Sequence, residues 1–299
     1  MKIVDAHSHL WLRQDTVVDG QRIYPLGRGR AMFFGEERQM LPPFMTDGTN
    51  SAEVFLANMD YAQVSAAVVV QEVIDGRQDD YLREVQARWP ERFLCCALMD
   101  LDHDLPEDGP CAVPEGFRAV AIPGHRARRS LTDPAVMEYF KSLEASGVIL
   151  SMCLADDASQ IAQMAEVIAE CPELRIAIGH FGMVTGRHWL SQIRLARARN
   201  VYVESGGITW LYNSEFYPYP SAVRSIRQAA DEVGEDKLMW GSDYPRTVCA
   251  VTYRMTYDFV LKSPELTPGF KEAFLGGNAA AFYGLGPLVE LPYIKNMSE

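Results

Sequence analysis

His7 and His9 lie two residues apart near the start of the chain, in the sequence M-K-I-V-D-A-H-S-H-L of residues 1–10. Alternate residues of a β-strand point to the same face, so two imidazoles at this spacing can converge on one point. Imidazole is the commonest side-chain ligand of zinc and related divalent ions. The pair therefore indicates part of a metal site, although two solvated or hydrogen-bonded histidines would give the same pattern.

Eight apolar segments predict the strands that position these histidines, and helical patterns separate most of the segments. The first begins at Ile3, and the others are residues 66–71, 93–99, 117–122, 148–154, 174–178, 201–204 and 237–240. Apolar runs without alternation are typical of parallel strands that are covered on both faces. The segments lack a glycine-rich phosphate-binding loop, which argues against an open nucleotide-binding sheet. We therefore predict an α/β fold, the (β/α)8 TIM barrel, with long loops after strands 1 and 7.

The barrel is predicted to be a single domain that spans residues 1–299, a common length for this architecture. Residues 13–49 stand apart, because they are rich in Gly, Pro and Arg and show no regular pattern. A connection of this length in a compact domain is usually either functional or disordered. Its aromatic residues favour a lid, so the segment is predicted to be an irregular, lid-like insertion after the first strand.

Composition indicates the kind of partner. The chain has 28 Lys and Arg against 40 Asp and Glu, and its formal net charge of −12 opposes binding to nucleic acid or to an anionic membrane. A small-molecule substrate is expected instead. The sequence shows neither a signal peptide nor a membrane-spanning run, and its 6 cysteines lack C-x-x-C spacing, so a reduced, cytoplasmic protein is expected. The apolar segment 288–294 is a candidate contact in a homo-oligomer.

Polar residues follow the predicted strands. In a TIM barrel the active site lies at the carboxyl ends of the strands, so these residues are expected to converge. In chain order they are His7 with His9, Gln71 with Glu72, Asp100, His125, Cys153, His180, Glu204 with Ser205, and Asp243. The predicted ring adds His180 and Asp243 to the histidine pair as candidate site residues.

Three members of this ring have other interpretations. His180 could be a structural histidine bonded to backbone groups, because a buried imidazole needs a partner for each nitrogen. Asp243 could pair with Arg246 or cap the following turn, since a buried carboxylate needs a cation or hydrogen-bond donors. Cys153, on an apolar strand, is more typical of a small core residue than of a zinc ligand.

Four motifs together resemble the amidohydrolase superfamily, and within it the amidohydrolase-related branch that includes lactonases and decarboxylases of the aminocarboxymuconate-semialdehyde type. The motifs are I-V-D-A-H-S-H at 3–9, I-G-H-F-G at 178–182, L-M-W-G-S-D-Y-P at 238–245 and L-G-G-N-A at 275–279. The resemblance implies a distorted barrel that binds at most one divalent metal ion through His7, His9 and Asp243. It also implies that His180 is a further metal ligand or a catalytic residue beside the metal. Zinc is the expected ion and manganese the alternative, while some lactonases of this branch use no metal.

The fifth predicted strand, V-I-L-S-M-C-L at residues 148–154, departs from the pattern of many metal-dependent relatives. Those relatives carry a histidine or a carboxylated lysine there, whereas this chain offers Met152 and Cys153. A carboxylated lysine that bridges two metal ions is therefore excluded at this position, which favours a mononuclear site.

The resemblance implies hydrolysis of a small lactone or amide by an activated water molecule. Asp243 would act as the general base, and the metal or His180 would polarise the substrate carbonyl. The candidates for substrate binding are Arg246, Trp210, His125 and Arg38. Arginine binds carboxylates bidentately, so a carboxylated or sugar-derived substrate is expected, although Arg246 could instead pair with a surface acid.

Two other functions are open from the sequence. A non-oxidative decarboxylase of an aromatic or dienoic acid would use the same metal site, with His125 or His188 as the extra site histidine that such enzymes often show. A non-catalytic barrel could instead bind a metabolite or a partner protein. A barrel without catalytic activity is expected to have lost polar residues from the ends of its strands. These residues are present here apart from the fifth strand, which favours an enzyme.

Overall fold

The computed structural model describes residues 1–106, 111–295 and 297, and the rest of the predicted 1–299 domain lies outside these described residues. The described residues form twelve strands. In chain order they are β1 Ile3–Ser8, β2 Thr16–Val18, β3 Gln21–Gly27, β4 Arg30–Phe33, β5 Glu36–Gln39, β6 Val64–Val69, β7 Phe93–Leu98, β8 Ala119–Ile122, β9 Ile149–Met152, β10 Ile176–Ile178, β11 Val201–Glu204 and β12 Leu238–Met239. Eight of them, β1 and β6 to β12, form one sheet, and β2 to β5 form another.

The eight-stranded sheet closes into a barrel. Its strands pair in the order β1-β6-β7-β8-β9-β10-β11-β12, and every neighbouring pair is parallel. The chain after β12 then returns to β1, because the Ala6 N–H donates to the Trp240 carbonyl at 2.9 Å and the Asp243 N–H donates to the His7 carbonyl at 2.9 Å. The predicted TIM barrel is confirmed.

Apolar side chains, many of them small, fill the inside of the barrel. Val4 and Ala6 of β1 pack there with one or two residues from most other strands. These partners are Val68, Leu94, Cys96, Ala119, Ala121, Ile149, Ala177 and Met239. Because the interior is packed, the room for a ligand lies at the ends of the strands.

Ten helices are found among the described residues, and most follow a barrel strand. They are α1 Ala52–Tyr61, α2 Asp79–Arg88, α3 Pro134–Ala145, α4 Ala158–Glu170, α5 Trp189–Arg194, α6 Ile208–Leu211, α7 Pro220–Val233, α8 Met255–Lys262, α9 Pro268–Glu272 and α10 Asn278–Tyr283. A π-helical turn, Ala273–Gly277, joins the last two, where a Cβ on Gly276 would come within 2.2 Å of the Lys2 carbonyl oxygen. Of these described helices, none is long and apolar enough to cross a membrane.

The insertion after β1 differs from the prediction. Residues 16–39 of this segment are regular, because β2 to β5 form a four-stranded antiparallel sheet. Asp19 and Gly20 both have positive φ angles between β2 and β3, the backbone geometry of a tight hairpin turn. A separate buried cluster packs beneath the insertion and consists of Trp11, Leu41 and Met45.

Two contacts join this small sheet to the loop that follows β8. Arg128 forms an ion pair with Asp19, and the Arg126 guanidinium carbon lies 5.8 Å from the centre of the Phe34 ring. The sheet therefore stands at the carboxyl end of the barrel strands, where a lid would have to be. Its role as a lid stays a prediction.

Candidate active site

His7, His9 and Asp243 meet in a buried cluster at the carboxyl end of the barrel. The Nε2 atoms of the two histidines lie 3.2 Å apart, and His9 Nε2 lies 3.0 Å from Asp243 Oδ1. His7 Nε2 is 3.9 Å from the same oxygen. One ligand atom from each residue lies within 4.8 Å of the other two, so a single ion could contact all three.

Glu204, the last residue of β11, orients His7. Its Oε1 accepts hydrogen bonds from His7 Nδ1 at 2.7 Å and from the His180 N–H at 3.0 Å, and its Oε2 accepts from the Gly206 N–H. Burial raises the pKa of Glu204, but the charge and hydrogen bond of His7 outweigh burial and lower that pKa. Because the carboxylate only accepts, neutral His7 carries its proton on Nδ1 and turns the lone pair of Nε2 to the cluster.

Two glycines make room for this carboxylate. A Cβ on Gly206 would lie 2.8 Å from Glu204 Oε2, and a Cβ on Gly241 would lie 2.7 Å from the same atom. Both distances are shorter than real Cβ contacts, so a side chain at either position would displace Glu204 from His7. The close approach explains glycine in the segments that follow β11 and β12.

His9 has a longer contact with Asp75, a buried residue in the loop after β6. His9 Nδ1 and Asp75 Oδ2 are 3.7 Å apart, and neither atom has a hydrogen-bond partner among the described residues. The other oxygen, Asp75 Oδ1, accepts from Arg246 Nη2 at 2.6 Å and from Gln14 Nε2 at 2.9 Å. Burial and the charge of Arg246 lower the pKa of His9, so this imidazole is neutral near pH 7.

His180 lies beside His7, with 4.6 Å between the two ring centres. Its Nδ1 donates to the Gly206 carbonyl at 2.9 Å, so Nε2 is the nitrogen left for a ligand. Burial and the charge of His7 lower the pKa of His180, which keeps it neutral near pH 7. The residue therefore combines a backbone contact with a position beside the cluster.

A buried carboxylate supports the loop that carries Asp243. Asp243 has a φ of 58°, which a residue with a side chain rarely adopts. Asp5 Oδ1 accepts from the Ser242 N–H at 2.8 Å, and Asp5 Oδ2 accepts from the Tyr253 hydroxyl at 2.7 Å. Burial raises the pKa of Asp5 to about 6. These bonds offset the backbone strain, which costs about 1–3 kcal/mol at such positions.

Trp210 holds the other side of the Asp243 carboxylate, because its indole Nε1 donates to Oδ2 at 2.7 Å. Burial alone would raise the pKa of Asp243. The hydrogen bond from His9, the electrostatic influence of the His180 and His9 imidazoles and the charge of Arg246 together outweigh burial and hold the pKa of Asp243 well below its usual range. Asp243 is therefore a carboxylate that can accept a proton.

The donor set fits one divalent ion. Two nitrogens bound at roughly 2.0–2.1 Å to a tetrahedral zinc ion would lie about 3.3 Å apart. His7 Nε2 and His9 Nε2 are separated by 3.2 Å. The lone pair of His7 Nε2 and the Asp243 carboxylate face one another, and a cation or a proton between them relieves the repulsion. Glu204 and Asp75 stand behind the two histidines, as carboxylates do behind metal-binding histidines in other proteins.

The two candidate arginines are both engaged with carboxylates. Arg246 is bound to buried Asp75, and the charge of that residue helps to raise the pKa of the guanidinium above its usual range, against burial. Arg38 lies on β5, is largely exposed, and donates to Glu36 through Nη2 at 2.7 Å. Neither arginine lines the cavity beside the metal cluster.

His125 and Cys153 both line that cavity. His125 lies in the turn after β8, with Nε2 3.1 Å from Glu72 Oε2. Burial raises the pKa of the Cys153 thiol well above its ordinary value, so the residue is a neutral thiol near pH 7.

Two adjoining spaces at this end of the barrel concern the cluster. The cavity beside the metal cluster has about 20 Å³ free, room for about one water molecule. A cleft of about 630 Å³ lies between residues 16–20 of the insertion and the loops after β7 and β8. The two spaces share Ile122 and Pro123 in their walls.

Three residues have functions in the site that the sequence does not predict: Asp5, Asp75 and, as the residue that orients His7, Glu204. Two signals were available, because Asp5 stands two residues before His7 and Glu204 ends a predicted strand. Asp75 follows β6 by several residues, and nothing in its local sequence indicates a partnership with His9 or Arg246.

Comparison with known proteins identifies the family. The sequence profile of a family described as Amidohydrolase matches residues 4–285, so the chain belongs to the amidohydrolase family. The resemblance inferred from the four motifs is thereby confirmed. No curated protein matches the chain in sequence.

Solved structures share the fold at low sequence identity. A probable 2-pyrone-4,6-dicarboxylic acid hydrolase from Acinetobacter baumannii, with citric acid bound, has 16% identity and a TM-score of 0.68, over 95% of this chain and 100% of that one. An amidohydrolase from Burkholderia multivorans with bound zinc has 15% identity and a TM-score of 0.68, over 96% and 100%. A 5-carboxyvanillate decarboxylase from Novosphingobium aromaticivorans, complexed with manganese and 4-hydroxy-3-methoxy-5-nitrobenzoic acid, has 17% identity and a TM-score of 0.57, over 78% and 80%.

Proposed function

We propose that this chain is a metal-dependent hydrolase of a small lactone or amide, with one zinc ion held by His7, His9 and Asp243. The proposal rests on the buried cluster, in which three ligand atoms lie within 4.8 Å of one another and Glu204 fixes one of the histidines. Family membership supports hydrolysis. Zinc is bound by the Burkholderia relative, and manganese by the decarboxylase relative, so manganese is the alternative ion.

Asp243 is the proposed general base. A divalent ion, when bound, supplies Lewis acidity that makes water a nucleophile near neutral pH. The Asp243 carboxylate accepts the proton of the attacking water, and Trp210 keeps Oδ2 in position during this transfer. Neutral His180 offers Nε2 as a hydrogen-bond acceptor that orients the same water, or as a further ligand.

The substrate is proposed to span both spaces at the end of the barrel. The small cavity holds about one water molecule, so the body of a lactone or amide requires the larger cleft. Four aspartates and three arginines line that cleft, and the arginines, Arg77, Arg126 and Arg128, are the proposed partners of a substrate carboxylate. Each of these arginines pairs with a carboxylate of the protein, as Arg246 and Arg38 do, but they line the cleft and Arg246 and Arg38 do not.

Elemental mass spectrometry on protein purified without chelator tests the metal site. Wild-type protein should carry close to one zinc per chain, and His7→Ala and Asp243→Ala should lose it. His188→Ala serves as the matched control and should keep the metal, since His188 lines neither space. Wild-type protein that takes up neither zinc nor manganese would contradict the proposal.

Activity assays separate hydrolysis from decarboxylation. Zinc-loaded protein should hydrolyse δ-valerolactone or a carboxylated lactone, followed as proton release. Release of carbon dioxide from 5-carboxyvanillate, without hydrolysis of any lactone or amide, would support a decarboxylase instead. Binding of such compounds without turnover would support a non-catalytic barrel.

A further inference from the structure

A second polar group, the imidazole of His125, lines the small cavity beside the metal cluster. β8 is fourth in the ring of eight strands and β12 is eighth, so the loops after them stand on opposite sides of the barrel axis. His125 follows β8, and Asp243 follows β12. His125 lines the same cavity as His7 and His9, and that cavity has about 20 Å³ free. One small reacting group in this cavity can therefore contact both His125 and the histidines of the cluster, and Asp243 Oδ1 lies 3.0 Å from one of those histidines.

Glu72 holds the imidazole of His125. Glu72 Oε2 lies 3.1 Å from His125 Nε2, and both oxygens of Glu72 lie 3.0 Å from Arg126 Nε. Burial raises the pKa of Glu72, but the hydrogen bond from His125 and the charge of Arg126 outweigh burial and lower it to about 2. A carboxylate only accepts, so His125 keeps a hydrogen on Nε2. Proton exchange is left to Nδ1, which has no hydrogen-bond partner among the described residues.

The backbone around His125 is also fixed. The His125 N–H donates to the Cys153 carbonyl at 2.8 Å, and Gln160 Nε2 donates to the Gly124 carbonyl at 2.7 Å. These bonds tie the turn after β8 to β9 and to α4. The imidazole is about one-third exposed, with 32% of its side chain accessible, so it can exchange protons with solvent. An oriented, partly accessible imidazole beside a carboxylate is the arrangement of a general acid or base.

We infer that His125 is the general acid that protonates the leaving oxygen or nitrogen, with Glu72 as its positioning residue. The inference rests on the proposed hydrolysis. Water attacks the carbonyl carbon and gives its proton to Asp243. The bond from that carbon to the leaving atom then breaks, its electron pair passes to the leaving atom, and His125 Nδ1 donates the proton. Solvent water carries the proton from Asp243 back to His125, so the cycle closes without a further reactant.

This division of roles makes the rate depend on the leaving group. An alkoxide that leaves from δ-valerolactone needs a proton, whereas the 4-nitrophenolate that leaves from 4-nitrophenyl acetate is stable without one. Loss of a general acid costs ~100-fold or more in rate where a proton is needed. His125→Gln is the sharpest change, because the glutamine amide can still donate to Glu72 but cannot transfer a proton at neutral pH.

The experiment compares kcat/KM for both probes in zinc-loaded wild type, His125→Gln, Glu72→Gln and the control His188→Gln, with zinc content measured for each. We expect His125→Gln to lose ~100-fold on δ-valerolactone and less than ~3-fold on 4-nitrophenyl acetate. Glu72→Gln should show the same selectivity with a smaller loss, and His188→Gln should match wild type. All four proteins should hold equal zinc.

Each other result has a definite meaning. Equal losses on both probes would assign His125 a structural role and overturn the inference. Unchanged turnover of δ-valerolactone in His125→Gln would show that His125 does not supply the proton and would also overturn the inference. A zinc-loaded wild type that hydrolyses neither probe nor any other lactone or amide would overturn the proposed hydrolysis, and the inference with it.

Discussion

Replacing Glu204 with glutamine tests whether this buried carboxylate sets the metal affinity of the cluster. Glu204 accepts hydrogen bonds from His7 Nδ1 at 2.7 Å, from the His180 N–H at 3.0 Å and from the Gly206 N–H. Glutamine has the same shape but offers one acceptor oxygen and an NH2 group. One of its two ends must therefore place a donor against a donor, at a position that is 1% exposed.

Two magnitudes follow from that geometry. A buried backbone N–H that loses its acceptor costs about 1–3 kcal/mol of stability. Removal of the carboxylate behind a metal-binding histidine lowers metal affinity by about 10–100-fold, or ~1.4–2.7 kcal/mol. The loss of metal affinity is the effect specific to the proposed site, because it occurs only if His7 is a metal ligand.

Zinc affinity is measured by competition with a chromophoric chelator, and stability by urea unfolding of metal-free protein. Glu232→Gln is the matched control, since Glu232 also accepts from two partners, Arg194 and Arg197, but lies on α7 outside the barrel. A folded Glu204→Gln protein with wild-type zinc affinity would refute the reasoning. Equal loss of affinity in Glu232→Gln would show that the effect is not specific to the site.

Three further predictions concern the surroundings of the cluster. Folding raises the pKa of Asp5 from 3.8 to about 6 and so favours its protonated form. The resulting contribution to the free energy of unfolding is fully present below pH ~4 and is lost as the pH rises through about 6. Asp5→Asn should therefore flatten the fall in stability between pH 4 and 7, by ~3 kcal/mol at most, in urea unfolding of metal-free protein; an unchanged pH profile would contradict this. Trp210→Phe removes the donor to Asp243 Oδ2 and should lower kcat for δ-valerolactone by ~10-fold with zinc content unchanged, and an unchanged kcat would remove Trp210 from the mechanism. Gly241→Ala should destabilise the protein by ~1–3 kcal/mol in urea unfolding and weaken zinc binding, because the new Cβ would meet Glu204; wild-type values would show that the site has room there.

The barrel and the cluster of His7, His9 and Asp243 could be predicted from the sequence because their signals are local. Apolar runs of four to seven residues encode buried strands, and the carboxyl end of a strand is a fixed place in a barrel. His7, His9 and Asp243 stand at such ends, so the pattern that predicts the fold also predicts their convergence. Glu204 was in the same predicted ring, but its partner could not be read from its own neighbourhood.

The prediction that the insertion is irregular was wrong, although part of the signal for its strands is local. The sequence T-V-V-D-G-Q-R-I-Y at residues 16–24 has Asp19-Gly20 between two runs with β-propensity, which is a strong hairpin signal. The abundance of Gly, Pro and Arg in residues 13–49 obscured it. The engagement of Arg246 with Asp75 could not be predicted, because 171 residues separate them and local sequence does not encode such a contact.

The charges around the cluster link its protonation to its affinity for a cation. Glu204, Asp243 and Asp75 are acidic, and the basic Arg246 donates to Asp75 and acts through its charge on Asp243. Burial disfavours a charged His7, yet the negative charge of Glu204 and Asp243 outweighs burial and raises the pKa of His7, so the group attracts a proton in the absence of an ion. A divalent ion satisfies the same negative charge, but it needs the His7 Nε2 lone pair and must displace that proton. Zinc affinity should therefore rise with pH across the titration of His7, and the acidic surroundings that favour the proton are the same ones that hold the metal.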